Sequence, residues 1–298
     1  MKSKLFFNQL IYHHNTTACI LARFMTPLGM VQRPSIHAPR EFFGRFFVLA
    51  AFLTLICPTL WAQPTPPDLS KLNGKGLAEL LTSMEPVENT VIHGTLIVTN
   101  KAKHVRDEIP FTGKVLRGET QWQSVFEAQA TAKSPAETLI VIHTPGSTNQ
   151  YLWGQSTSTN AVEPKPISAH KAAATGFAGT DYSLSDLGLE FLHWADQERL
   201  PSQARLTRPC HVLESRYDLA ESIVRVVSYI DCEYASSIGS QGFPAILVAE
   251  AYGTQGKNPV KEFSLHGSSI KKVNGQYQLE QMEMSNLKTG STTIMKFD

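Results

Sequence analysis

The chain has 298 residues, of which 42% are hydrophobic and 18% charged, with a formal net charge of +1. That is an ordinary globular composition, enough to build a core. The near-neutral balance excludes a basic face able to hold a nucleic-acid backbone, and there is no acidic tail. Length alone allows one large or two small domains.

The N-terminal region reads as an export signal. Residues 40–63 are "REFFGRFFVLAAFLTLICPTLWAQ". Arg40 and Arg45 precede an apolar run from Phe46 to Cys57, Pro58 breaks it, and Trp61-Ala62-Gln63 follows. These are the n-region, h-region and small-residue end of a secretory signal peptide, with cleavage expected after Ala62. The run is about 12 residues, short of the ~20 needed to span a bilayer. It begins late, and a start at Met30 gives a leader of ordinary length. Ile56 before Cys57 makes "TLIC" a poor lipobox, so a soluble periplasmic product is expected rather than a lipid-anchored one. Residues 1–62 therefore form an N-terminal extension and signal peptide outside the fold. Two cysteines remain, Cys210 and Cys232, in an oxidising compartment where they can pair or stay as buried thiols.

"QPTPPDLS" (63–70) is a Pro-rich linker. It leads into a predicted helix from Asp68 to Met84, with Leu69, Leu72, Leu80, Leu81 and Met84 on one face and Asp68 as N-cap. Gly74 and Gly76 each weaken it by roughly 1 kcal/mol relative to Ala. Residues 63–84 thus form a linker and N-terminal helix ahead of a β domain spanning 85–298.

From residue 89 short runs rich in β-branched and aromatic residues predict strands: "TVIHGTLIVTN", "GKVLRGETQWQSVFEAQA", "ETLIVIHT" and "QYLWGQ". In "QWQSVFEA", Trp122, Ser124, Phe126 and Ala128 share one face, and Gln121, Gln123 and Glu127 the other. The polar segment 155–176 shows no pattern and reads as a loop. In "FAGTDYSLSDLGLEF" (177–191), Ser183 followed by Asp186 fits a capping box. Leu184, Leu187, Phe191, Leu192 and Trp194 then form the apolar side of a short helix ending near Glu198. Strands resume with "PCHVLES", "SIVRVVSYIDCEY", "PAILVAEAYG", "VKEFSLHG", "YQLEQMEMSN" and "STTIMKF". Two helices among roughly ten strands, without βαβ alternation, predict a mainly β fold. Its expected form is an open, curved antiparallel sheet, a half-barrel, with helices covering a hydrophobic cavity. A turn near Ala220 and Glu221 would set Cys210 opposite Cys232, close enough for a bridge contributing about 3 kcal/mol; two side-by-side reduced thiols are the alternative.

No constellation for chemistry emerges. There is no G-x-S-x-G, and "GSQG" (239–242) has the wrong spacing. Cys210 and His211 are strand neighbours on opposite faces and cannot form a dyad. His193, Asp196 and Glu198 do not share a helix face, and no HExxH or CxxC accompanies them. His93, His143, His170 and His266 are scattered singly. "NGKGLAEL" lacks the spacing of a phosphate loop. Asp181 and Asp186 are the best acidic pair, but capping already explains Asp186. No catalytic residue, metal or cofactor is expected. What remains is apolar surface: Trp122, Phe126, Tyr151, Trp153, Phe243, Leu247, Met282 and Met284 are candidates for a ligand-binding lining, with adaptable methionines among them. Ordinary core burial is the competing reading of each.

Gly179, Thr180, Asp181, Tyr182, Asp186 and Leu187, followed by Cys210, Leu213 and Glu214 and then Tyr229, Ile230 and Asp231, carry a resemblance. The sequence resembles the outer-membrane lipoprotein-sorting protein family, the LolA-like periplasmic lipoprotein carriers, over roughly residues 85–298. Tyr229 stands where that family often has Trp. The resemblance implies an open antiparallel sheet closed by helices around a hydrophobic cavity. It also implies non-catalytic carriage of lipid or lipoprotein acyl chains, with an inner-membrane transporter or an outer-membrane acceptor as a partner. Gly179, Asp181, Tyr182, Asp186 and Leu187 are then a conformational signature. The alternative is an envelope binding or scaffold module of the same fold that carries no lipid.

Overall fold

The computed structural model describes residues 68–86, 88–100, 105–156, 162–217, 222–232, 245–254, 256–265, 270–273 and 276–298. The expected leader, most of the Pro-rich linker and Phe243 lie outside the described residues.

The described chain opens with a 3-10 turn, Leu69–Lys71, and helix α1, Gly74–Thr82. Five strands follow: β1 (Thr90–Asn100), β2 (Val105–Arg117), β3 (Trp122–Ala128), β4 (Ala136–His143) and β5 (Gln150–Ser156). Next come β6 (Lys165–Ile167), α2 (Ala169–Ala174), α3 (Leu184–Leu187) and a 3-10 turn, Glu190–His193. The remaining strands are β7 (Asp196–Arg205), β8 (Arg208–Arg216), β9 (Arg225–Asp231), β10 (Ile246–Tyr252), β11 (Lys261–Ser264), β12 (Ile270–Val273), β13 (Gln276–Leu279), β14 (Gln281–Asn286) and β15 (Ser291–Phe297).

Thirteen of these strands form one antiparallel sheet, in the order β6-β5-β4-β3-β2-β1-β15-β14-β11-β10-β9-β8-β7; β12 and β13 form a separate hairpin. The sheet is curved and open rather than closed into a barrel. An open sheet exposes two edges, and both are blunted. β6 is three residues long with Pro166 at its centre. β7 carries Pro201 inside a register shift between Leu200 and Gln203, and α1 packs against it.

Period-two alternation places the core. Along β4, Glu137, Leu139, Val141 and His143 are buried while their neighbours are half-exposed. One large apolar cluster joins β1–β5, β14 and β15 to α3 and the segment before it. A second joins α1 and the Glu190–His193 turn to β8, β9 and β10. Both lie on the helix-bearing face. A third cluster, with Cys210, Val212, Val227, Tyr229, Leu247 and Val248, lies on the opposite face. Alternation makes the assignment: Val226 and Ile230 of β9 belong to the second cluster, Val227 and Tyr229 to the third.

Four local expectations need correction. The predicted helix from Asp68 breaks in two: Asp68 caps the 3-10 turn, and Asn73 caps α1 by accepting the Gly76 N–H at 2.8 Å. Gly74 is required rather than merely tolerated. A Cβ there would lie 2.3 Å from the Gln197 carbonyl oxygen of β7. The segment 155–176 is not all loop, since it holds β6 and α2. The helix after Ser183 ends at Leu187 instead of near Glu198. Tyr151 lies where a Cβ on Gly188 would be, only 2.4 Å from the phenol oxygen, and Leu189 follows in the left-handed conformation at φ 51°. The chain there cannot continue as one helix.

Cys210 and Cys232 are not joined in a disulfide. The β8–β9 register pairs Cys210 with Asp231, one residue away from the expected opposition to Cys232. A one-residue slip turns side chains to the other face, so of the two alternatives this register fits two reduced thiols rather than a bridge.

Candidate functional site

The segment 175–194 builds the roof of the site. Its first half is a closed loop: the Phe177 N–H donates to Tyr182 O at 2.8 Å, the Thr180 N–H to Phe177 O at 2.9 Å, and the Leu184 N–H to Thr175 O at 2.9 Å. Ala178 and Gly179 turn the chain with positive φ. Asp181 fixes this loop to β15. It accepts from Ser291 Oγ at 2.5 Å and Thr293 Oγ1 at 2.9 Å, while its own N–H donates to Thr293 Oγ1. Ser183 then starts α3 with the predicted capping box, accepting the Asp186 N–H at 3.2 Å while its own N–H donates to Asp186 Oδ2 at 2.6 Å.

Three polar clamps hold the second half of the roof. Asp186 forms an ion pair with Lys261 of β11. Glu190 accepts from Tyr151 OH at 2.7 Å and from Asn149 Nδ2 at 3.2 Å, and Asn149 also donates to Gly188 O at 2.8 Å. Gln197 of β7 donates to the carbonyls of Phe191 and Trp194, both at 2.9 Å, and its own oxygen accepts from Ser215.

Beneath this roof lies a cleft in two parts. The inner part is an apolar cavity of about 50 Å³. It lies at the seam between the two helix-side clusters: Tyr182, Leu187, Met282 and Met284 come from the first, and Phe191, Val226, Ile246 and Ala249 from the second. The outer part is a more polar mouth of about 250 Å³, reaching His170, Glu190, Trp194, Tyr217 and Lys288. The Asp186–Lys261 pair borders both parts.

Electrostatics around the roof are set by burial. Burial first, then nearby carboxylates, hold the Tyr182 and Tyr151 hydroxyls well above the ordinary tyrosine value. Burial raises Glu190 above 4.5, against the hydrogen bonds from Tyr151 and Asn149 that lower it. Burial pushes His143 down to about 3, so it is a neutral imidazole, stacked on Trp122 at 3.7 Å and hydrogen-bonded to Ser124 at 3.2 Å. Ser124 and His143 line neither part of the cleft.

The expected lining residues divide. Met282 and Met284 line the inner cavity. Trp122, Phe126 and Tyr151 are packed into the first cluster, with Phe126 set edge-on to Phe177 at 6.2 Å. Trp153 is half-buried beside that cluster and donates its indole N–H to Glu137 at 2.8 Å. Leu247 sits in the opposite-face cluster instead, because a bulge between Ile246 and Val248 shifts the alternation of β10. Of the signature residues, Tyr182, Asp186 and Leu187 border the cavity, while Gly179 and Asp181 shape and anchor the roof.

Sequence reasoning missed Leu189, Ala249, Ala251, Lys261 and Phe263 as lining residues. Small alanines carry no signal in the sequence, and Lys261 belongs to no motif. Among the described residues no group of three or more His, Cys, Asp or Glu is placed to hold a metal, and no helix is long and apolar enough to cross a membrane.

The architecture is an open antiparallel sheet roofed by a short helical segment over an apolar seam. Two solved structures share it. One is a DUF1329 family protein from Desulfovibrio piger, with TM-score 0.56 and 15% identity, covering 76% of this chain and 90% of that one. The other is an outer membrane lipoprotein-sorting protein domain from Vibrio parahaemolyticus, with TM-score 0.55 and 15% identity, covering 70% of this chain and 83% of that one. A family model described only as "Uncharacterized protein", -like, matches residues 121–298, more than half of the chain, and the chain belongs to that family. No curated protein matches it.

Proposed function

We propose that this chain is a non-catalytic periplasmic carrier, exported through a cleaved signal peptide, that binds lipid or lipoprotein acyl chains under the 184–194 roof. The observation that carries the reading is the apolar cavity at the seam of the two helix-side clusters, adjoining a more polar pocket with which it shares Asp186, Phe191, Val226, Ala251 and Lys261. Each buried methylene contributes about 0.8 kcal/mol, so an apolar seam gives affinity without any polar motif. The cavity of about 50 Å³ is the size of one or two waters, too small for an acyl chain as it stands. An acyl chain therefore enters by lifting the roof off β10 and β11, parting the two clusters. The polar mouth faces the headgroup or lipopeptide. A membrane transporter on one side and an outer-membrane acceptor on the other are the partners this reading needs.

A second reading, an envelope scaffold that carries no lipid, is favoured by the tight packing of Trp122, Phe126 and Tyr151 and by the small size of the cavity. Native mass spectrometry of the chain purified from the periplasm without detergent separates the two. A carrier shows species heavier than the polypeptide that release acyl-bearing molecules on extraction, and Ala249→Leu, which fills the seam, removes them. A bare polypeptide mass that persists after incubation with lipids and lipopeptides overturns the carrier and leaves the scaffold.

A further inference from the structure

Among the described residues, Tyr182 is the one polar side chain lining the inner cavity that is left without a hydrogen bond. Its neighbours in the wall are hydrocarbon, apart from Asp186 and Lys261, which bind each other. Its hydroxyl is fully buried and has no hydrogen-bond partner among the described residues. A buried donor without an acceptor costs free energy, roughly the desolvation of the group, and natural cores avoid it. Burial keeps the phenol protonated through the neutral range, so the group offers a proton at all working pH values. The roof loop, clamped to β15 through Asp181, holds it in place.

The surroundings say which acceptor fits. Asp186, Glu283 and Asp181 all act electrostatically on this phenol. Among the described residues that line the cavity, the one ammonium is Lys261, already ion-paired. A ligand carboxylate entering here would meet like charge in a partly buried site, which is unfavourable. A neutral carbonyl oxygen meets no such cost.

We propose that Tyr182 determines cargo specificity, donating to the carbonyl oxygen of a neutral acyl ester or amide whose hydrocarbon chain fills the seam between the two clusters. The assignment rests on the carrier reading and deepens it. It separates neutral acyl compounds from hydrocarbon, which has no acceptor, and from free fatty acids, which carry the wrong charge.

The test is displacement of a bound hydrophobic fluorophore from the full chain by three probes of matched length: methyl laurate, dodecane and laurate. The ester binds about tenfold more tightly than dodecane, the worth of one good hydrogen bond, and laurate gains nothing over dodecane. Tyr182→Phe, which removes one oxygen and keeps the ring, brings the ester down to the level of dodecane. Dodecane binding stays unchanged in that variant and reports that it is folded. Equal affinities for ester and dodecane in the parent chain overturn the assignment while leaving the carrier intact. So does an undiminished ester affinity in Tyr182→Phe, or tighter binding of laurate than of the ester. If none of the three probes binds, the carrier reading falls and takes the assignment with it.

Discussion

Lys261 of β11 is ion-paired with Asp186 of α3, and the same carboxylate oxygen accepts the Ser183 backbone N–H at 2.6 Å. One side chain thus starts the roof helix and ties it to the sheet. The Lys261 side chain is only 15% exposed and the Asp186 side chain 26%, so neither is a free surface charge.

Asp186→Ala is expected to cost more stability than Lys261→Met. The first removes half of the capping box and leaves a part-buried ammonium unpaired, about 2 kcal/mol in total. The second keeps Asp186 on the Ser183 N–H, replaces the ammonium stem by apolar atoms and costs about 1 kcal/mol or less. Urea denaturation midpoints at constant slope check this ordering. Equal costs would mean that the capping contact contributes nothing. Both variants should load the fluorophore faster than the parent, because the roof has lost a clamp.

Two glycines two residues apart should respond with opposite sign. Ala at position 74 gains helix propensity, but its Cβ meets the Gln197 backbone oxygen at 2.3 Å and carbon at 2.6 Å, which cannot rotate away. Moving α1 off β7 costs about 2 kcal/mol, more than the propensity returns. At Gly76 the nearest neighbours are side-chain atoms, 3.3 Å and 3.5 Å away, and its N–H stays bonded to Asn73. Gly76→Ala therefore stabilises by about 0.5 kcal/mol. Thermal melts of the two variants give the answer directly.

These particulars show where sequence was sufficient. Period two in "QWQSVFEA" placed Trp122, Ser124, Phe126 and Ala128 on one face, and all four are buried on β3. The Ser183–Asp186 capping box formed because it depends on four adjacent residues only. Features that depend on distant contacts were hidden. Gly74 looked like a defect because Gln197, its reason, lies more than a hundred residues on. The break after Leu187 comes with the left-handed turn at Leu189, the glycine before it is required by Tyr151, and the side taken by Leu247 follows from a bulge that local pattern does not announce. The site suffered most. A cavity at a seam is lined by whatever two independently packed clusters leave facing each other, so Met282 and Met284 were legible as adaptable side chains and Ala249 and Ala251 were not.

The buried polar cluster next to the roof makes acid stability a test of opposing signs. His143 is held at about 3, against an ordinary 6.5, by burial, with the adjacent Asn149 side chain opposing and the nearby His193 assisting. Its folded value is depressed, so an unfolded chain binds the proton first. The folded state loses stability as pH falls from 6.5 towards 3, on the order of 4 kcal/mol at pH 3. Glu190 runs the other way. Its folded value is raised, so the cost of burying its carboxylate is present at neutral pH and is relieved as pH falls through the raised value towards 4.5. His143→Gln should flatten the acid loss, and Glu190→Gln should steepen it while leaving the Tyr151 hydroxyl an oxygen to bond. Stability measured from pH 7 to pH 3 for the three proteins checks both signs; parallel curves would remove this cluster from the acid response.

Cys210 and Cys232 should differ sharply in reactivity. The Cys210 thiol is fully buried, and burial pushes it up to about 11. The thiolate is the reactive form, so Cys210 is inert at pH 8 on both grounds of access and ionisation. Cys232 is only half-buried, one residue past the end of β9. Iodoacetamide applied to the native chain should therefore label Cys232 and spare Cys210, and label both after unfolding in urea without reductant. Peptide mapping reads the two sites separately. If urea exposes neither thiol until a reductant is added, the cysteines are bridged, and the β8–β9 register would have to slip by one residue to set Cys210 opposite Cys232. Loss of protection at Cys210 in Tyr229→Ala would add that the opposite-face cluster, where both residues sit, is what seals the thiol.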